Sequence, residues 1–241
     1  MKLTVISSSA ILLAGFLATG ADAFEFSGAN ADLSYFSGSA GGGVVQYDTA
    51  IVAGSAAFGF GGGFGGQLDI ANITFSGDVT GVTSAVGLHL TYQASPSTVL
   101  GVFYNQDSWF YGDIDPHYGV EVAFDPSGGG LPITVEAFWG RYDFPGGNGT
   151  ILGASGSYAI NDNWSLLLGG IVSDWTTAPR YTMATIGARY DFGSGLYLSG
   201  DASAYALNGQ RDTAIGLQIG WDIGGGAVFS RRSSPIIFNG R

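Results

Sequence analysis

The chain has 241 residues, with 19 Asp and Glu against 8 Lys and Arg, 42 Gly, no Cys and only 11% charged residues. The lack of Cys excludes a disulfide scaffold, thiol catalysis and Cys-based zinc sites, and the acidic balance speaks against binding phosphate backbones, so nucleic acid is not an expected partner. The charged fraction is less than half of the roughly 25% usual in soluble domains, which fits a single domain that turns one face to lipid.

Residues 1–23 read MKLTVISSSAILLAGFLATGADA. Lys2 gives a short positive start, residues 10–18 an apolar core, and Ala21-Asp22-Ala23 an A-x-A cleavage site, the pattern of a secretory signal peptide. Nine apolar residues are too few for a spanning helix, which needs about 20. Cleavage by this reading leaves a chain that starts at Phe24 after Sec-dependent export. It would then hold no Lys and seven Arg, three of them (Arg231, Arg232 and Arg241) near the C-terminus.

Beyond residue 23 the apolar period is two, which belongs to strands. Twelve strands are predicted, at 28–36, 50–60, 64–74, 82–92, 98–106, 117–125, 132–142, 149–160, 164–174, 180–191, 195–205 and 212–223. In 82–92, for example, Val82, Val86, Leu88, Leu90 and Tyr92 share one face, and Thr83, Ala85, Gly87, His89 and Thr91 the other. The polar face is mostly Gly, Ala, Ser and Thr. A soluble sandwich would carry more charge there, whereas a membrane barrel points that face into a lumen. Lipid also forces closure, because an open edge would leave amides unpaired in hydrocarbon. The predicted fold is therefore all-β, a transmembrane antiparallel up-and-down barrel over residues 24–226, with about twelve strands and ten to fourteen as the range.

Taken in chain order, the alternation places Asp32, Asp69, His89, Glu121, Glu136, Arg189, Asp201 and Asp222 inside. The predicted turns after even strands (61–63, 94–97, 126–131, 161–163 and 192–195) are Gly-, Pro- or Asn-rich and mostly short. Several links after odd strands, at 37–49, 107–116 and 143–148, read as longer loops. Both termini then lie on the short-turn side. Aromatics such as Tyr35, Phe64, Tyr92, Tyr118, Trp139, Trp164 and Trp221 fall where interfacial girdles are expected. The small inner residues suggest unfilled space along the axis. Residues 227–241 form either a solvated tail or a further strand.

The loop before the sixth strand, with that strand's first residue His117, carries Trp109, Phe110, Tyr111, Asp113 and Asp115. These are candidate contacts on the far side of the barrel. Asp113-Ile114-Asp115-Pro116-His117 could activate water as a barrel protease does, but Asp and Pro are routine in turns. His89 would need a Ser partner for lipid hydrolysis, and Ser84 is on the opposite face of its strand. Neither reading outweighs a plain structural one, so no catalytic residue, metal or cofactor is expected.

The signal sequence, the Gly-rich alternating strands and the phrases Tyr190-Asp191-Phe192-Gly193-Ser194-Gly195 and Trp221-Asp222-Ile223-Gly224-Gly225-Gly226 resemble porin-type outer-membrane proteins of Gram-negative bacteria, with an alphaproteobacterial cast. The resemblance implies a monomeric or oligomeric outer-membrane channel for passive diffusion of small hydrophilic solutes or ions. Outer-membrane lipids and the barrel-assembly machinery are its implied partners. The acidic inner face adds a preference for cations. The alternatives are a non-conducting barrel acting through its outer loops and, less well supported, a barrel hydrolase. The ending SSPIIFNGR departs from the family's usual terminal aromatic residue, so the usual assembly signal is in doubt.

Overall fold

The computed structural model describes residues 25–40, 42–78, 80–108, 114–124, 132–144, 147–176, 180–207, 209–224 and 226–232. The predicted signal peptide lies outside them. Twelve strands follow in order: β1 (Glu25–Ala40), β2 (Val45–Gly61), β3 (Phe64–Gly77), β4 (Gly81–Ser95), β5 (Thr98–Ser108), β6 (Ile114–Phe124), β7 (Ile133–Phe144), β8 (Gly147–Ala159), β9 (Trp164–Trp175), β10 (Tyr181–Asp191), β11 (Leu196–Leu207) and β12 (Gln210–Gly224). Each pairs with the next, and β12 pairs back to β1 from Gly28↔Gly224 to Gly38↔Ala214. The sheet is a closed antiparallel barrel of the transmembrane type, in which each of the described strands pairs on both sides.

The alternation predicted from sequence sets the two faces. Leu33, Val52, Ile70, Leu88, Val120, Leu152, Ile186 and Leu217 point outward and are exposed, which in water would be unfavourable and in lipid is required. At the end where β1 starts and β12 finishes (the terminus end of the sheet), outward aromatics meet across neighbouring strands: Phe26 with Phe58, Phe64 with Tyr92, and Trp164 with Tyr190. Tyr35, Tyr104, Tyr118 and Trp139 lie outward farther up the wall. Along β1, nine residues separate Phe26 from Tyr35. At a rise of about 3.3 Å per residue and a tilt of about 40°, that spans about 23 Å of height, close to the ~25 Å apolar band of outer-membrane barrels.

Two expectations change. The long loops at 37–49 and 143–148 are largely strand: β1 runs to Ala40, β2 starts at Val45, and β7 and β8 extend to Phe144 and from Gly147. These hairpins project as paired ladder, with Gly38 opposite Tyr47. β6 also starts at Ile114, three residues before the predicted 117, so Asp115 joins His117 in the strand. Pro116 is tolerated there because its register partner is Gln106 on β5, while pairing with β7 starts only at His117, so Pro116 sits at a locally unpaired edge.

The inner glycines do not leave the axis empty. A Cβ at Gly153 would lie 2.2 Å from the Phe138 ring, and one at Gly220 2.4 Å from the Tyr197 ring. Inward aromatics lie flat over the glycine of the adjacent strand and thicken the wall. Twelve strands spaced about 4.8 Å apart and tilted about 40° give a backbone diameter of about 24 Å. A side-chain layer of about 5 Å on each wall, half the ~10 Å spacing of packed sheets, leaves roughly 14 Å. That is room for one more chain.

Candidate functional site

One more chain is what the lumen holds. Past β12, Gly224 and Gly226 take left-handed φ values of 65° and 72°, a conformation that Gly adopts at little steric cost. The chain turns there, and residues 227–232 lie inside the barrel against the inner face of β1–β7. This part of the C-terminal segment is neither a solvated tail nor a thirteenth strand: Phe229, Arg231 and Arg232 are all buried.

The wall receives the segment residue by residue. Val228 and Phe229 donate their N–H groups to Gln67 Oε1 at 2.8 and 3.0 Å, and Gln67 Nε2 donates back to the Phe229 carbonyl at 2.7 Å. The Phe229 ring stacks on His89, centroids 5.9 Å apart and planes 10° apart. Gly101 makes this seat possible, since a Cβ there would meet Glu121 at 2.8 Å and the Phe229 ring at 2.9 Å. Ser230 N–H donates to Glu136 Oε2 at 3.0 Å. Arg231 pairs with Asp32 and donates to Asn30 Oδ1 at 3.0 Å. Arg232 donates from Nε and Nη2 to Glu121 Oε2 at 3.2 and 3.0 Å, sits 3.5 Å from Glu136, and lies over the Phe138 ring at 4.1 Å.

A polar network on the wall holds the acids in place. His89 lies between Asp69 at 2.8 Å on Nε2 and Glu121 at 2.5 Å on Nδ1. Satisfying both contacts requires a proton on each ring nitrogen or on one of the acids. Gln67 also donates to Asp69 Oδ1, Ser34 to Asp32 at 3.2 Å, and Ser155 to Glu136 at 2.7 Å. Both ring nitrogens of His89 are thus taken by carboxylates, and Ser84 lies outward on the same strand, so the His–Ser pair of a hydrolase is not assembled there.

The eight residues expected in the lumen all face inward. Asp32, Asp69, His89, Glu121 and Glu136 converge on the segment. Arg189, near the terminus end, pairs with Asp191 at 2.5 Å and Asp222 at 2.8 Å and lies 3.8 Å over the Tyr197 ring. Asp201 lines the space beside the segment.

The proposed outer-loop contacts fare differently. Trp109, Phe110, Tyr111 and Asp113 lie outside the described residues. Asp115 points inward from β6, and His117 is buried inside the barrel, 3.1 Å from Asp107 and stacked on Tyr142. His117 is therefore corrected from loop contact to lumen residue; its parity with Glu121 on β6 fits this, but Pro116 hid the strand.

Sequence reasoning missed Gln67, Asp107, Asp191, Asp212, Phe229, Arg231 and Arg232. Gln67 shares a face with Asp69, a readable signal. Asp212 accepts from the N–H groups of Gly42 and Gly43 at 3.1 and 2.8 Å, which ties the β1–β2 turn across to β12. The arginines gave only a weak hint, as adjacent cations in a chain nearly without them.

Space remains on the other side of the segment, along β8–β12. A cavity of about 340 Å³ lies toward the terminus end and one of about 80 Å³ above it. Both are walled by Glu136, Ser155, Leu167, Ser199, Gln218, Ser230 and Arg231.

No protein-family model and no curated protein matches the chain in sequence. Solved structures match its fold. The KdgM porin in complex with disordered oligogalacturonate aligns with a TM-score of 0.56 at 10% identity, over 80% of this chain and 98% of that one. An outer-membrane channel from Pseudomonas putida gives 0.55 at 12% identity, over 81% and 95%. The CymD monoaromatic hydrocarbon channel gives 0.52 at 9% identity, over 86% and 90%. At these identities the likeness is one of architecture, an outer-membrane type of barrel spanned almost end to end.

Proposed function

We propose that this protein is a narrow outer-membrane channel for small hydrophilic solutes, favouring cations, with its C-terminal segment setting the width of the passage. The observation that carries this reading is the space left between the segment and the β8–β12 wall, where the polar side chains of Glu136, Ser155, Ser199 and Gln218 share the lining with apolar ones. Lipid-facing walls need no such interior, and a purely structural barrel could fill it with apolar side chains. The fold shared with channel proteins supports the same reading. Orientation follows the barrel rule, with the start of β1, the end of β12 and the even turns on the periplasmic side.

The segment redistributes the charge of the lumen. Ten carboxylates face inward (Asp32, Asp69, Asp107, Asp115, Glu121, Glu136, Asp191, Asp201, Asp212 and Asp222) against Arg189, Arg231 and Arg232 among the described residues. The mid-lumen acids are largely compensated by the segment. Acids near the two ends, with only Arg189 among them, then carry the preference for cations.

The fall from about 340 to about 80 Å³ favours a second reading, a barrel that does not conduct at rest. Planar-bilayer recording of the purified protein separates the two. Small, discrete conductance steps with a reversal potential displaced toward the cation potential are expected. Silent bilayers would favour the second reading, and an anion-directed reversal potential would overturn the charge argument.

A further inference from the structure

We infer that the acidic pocket on the inner face of β1–β7 is a guanidinium receptor and that the C-terminal segment is its displaceable occupant, so that peptides with adjacent arginines compete for the lumen.

The wall supports this without the segment. β1 and β12 close the barrel through their own ladder, and the segment's contacts described above are made to wall side chains rather than to the strand ladder. The receiving acids are positioned by wall partners: Glu121 by His89, Asp32 by Ser34, and Glu136 by Ser155. A site that is built independently of its occupant stays available when the occupant leaves.

The geometry also selects the ligand's chemistry. Two nitrogens of the Arg232 fork reach Glu121, a third faces Glu136, and the plane lies over Phe138 with Phe103 at 5.9 Å. A planar guanidinium satisfies both acids and the ring face at once. A Lys ammonium is a compact point charge that cannot span the same set. Arg231 fills a second seat, with Asp32 and Asn30 beneath it. Two seats one residue apart fit an Arg-Arg pair.

The inference rests on the lumen described for the channel, but accessibility tests it rather than conduction, so the two fail separately. The chain has no Cys, which makes Ser230→Cys a unique reporter in the full-length protein. Its rate of modification by a charged thiol reagent is measured in detergent, alone and with Arg-Arg amide or Lys-Lys amide. Labelling alone sets the baseline for the docked segment, in which Ser230 is only partly exposed, and a rise of about tenfold or more is expected under saturating Arg-Arg amide, as mass action requires of a competing ligand. Lys-Lys amide at the same concentration should leave the rate within about twofold. Glu121→Gln should blunt the response to Arg-Arg amide. Val228→Cys serves as the reporter should Ser230→Cys fail to assemble. No response to Arg-Arg amide, or an equal response to Lys-Lys amide, would each overturn the proposal.

Discussion

Phe229→Ala should free the C-terminal segment while leaving the barrel as stable as before. Phe229 is 1% exposed, stacks on His89 and fills the seat opened by Gly101. In a fixed core, truncating a buried Phe costs about 3–5 kcal/mol, because the surroundings cannot collapse onto the void. Here the molecule has a cheaper route. The segment is held through wall side chains, so it can withdraw and let water fill the space. The cost then appears as a change in docking equilibrium. Even 3 kcal/mol corresponds to about a 150-fold shift toward the released state, at about 1.4 kcal/mol per factor of ten. The assay is thiol modification of Ser230→Cys with and without Phe229→Ala, alongside thermal unfolding and heat-modifiable gel mobility. The expected result is labelling faster by about two orders of magnitude with an unchanged unfolding temperature. A lowered unfolding temperature with labelling still slow would show that Phe229 belongs to the cooperative core, and the reasoning would fail.

Three further outcomes test the fold and the charge layout. Leu88→Arg places a cation on the lipid face midway along β4, where Leu88 is outward and exposed; unfolding in lipid vesicles should show a loss of about 2–4 kcal/mol, and a neutral result would mean that this face does not meet hydrocarbon. Gly220→Val puts a Cβ 2.4 Å from the Tyr197 ring and should cost about 1–3 kcal/mol, with Tyr197→Ser in the same chain recovering much of the loss in a thermal melt. Arg189→Ala removes the cation paired with Asp191 and Asp222 and should move the reversal potential further toward cations; a shift toward anions would exclude the terminus end from selectivity.

The parts of the structure that were legible are those governed by period two. Asp32, Asp69, His89, Glu121, Glu136, Arg189, Asp201 and Asp222 could be placed because each strand repeats its face every second residue and lipid fixes which face is outer. Strand ends were less legible, since Gly38, Gly41, Gly42 and Gly43 read as loop, although Gly38 is held in the ladder by its pairing with Tyr47 and Ala214. Pro116 hid the start of β6 for the same reason, because local preference gave way to cross-strand context. The C-terminal segment was illegible. Arg231 meets Asp32 across 199 positions and Arg232 meets Glu121 across 111, and no local pattern encodes a contact at that range. What local sequence does contain is the reversal, in Gly224 and Gly226.

In the channel proposed above, the position of the segment couples width and ion preference, two properties that are usually independent in a pore. Docked, it narrows the passage to the side walled by β8–β12 and covers Asp32, Glu121 and Glu136 with guanidinium groups. Released, it would widen the passage and expose those same carboxylates. Width and cation preference must therefore rise together, because one set of contacts controls both. A wall substitution that only enlarges the cavity, such as Leu167→Ala where both cavities meet, raises conductance without uncovering any acid. Conductance alone therefore cannot report release of the segment, whereas a joint rise in conductance and cation preference can. Arg231→Gln with Arg232→Gln should produce that joint rise. If conductance increased with selectivity unchanged, the acids would not be facing the permeating ion, and the segment would act as a spacer rather than as the counter-charge of the lumen.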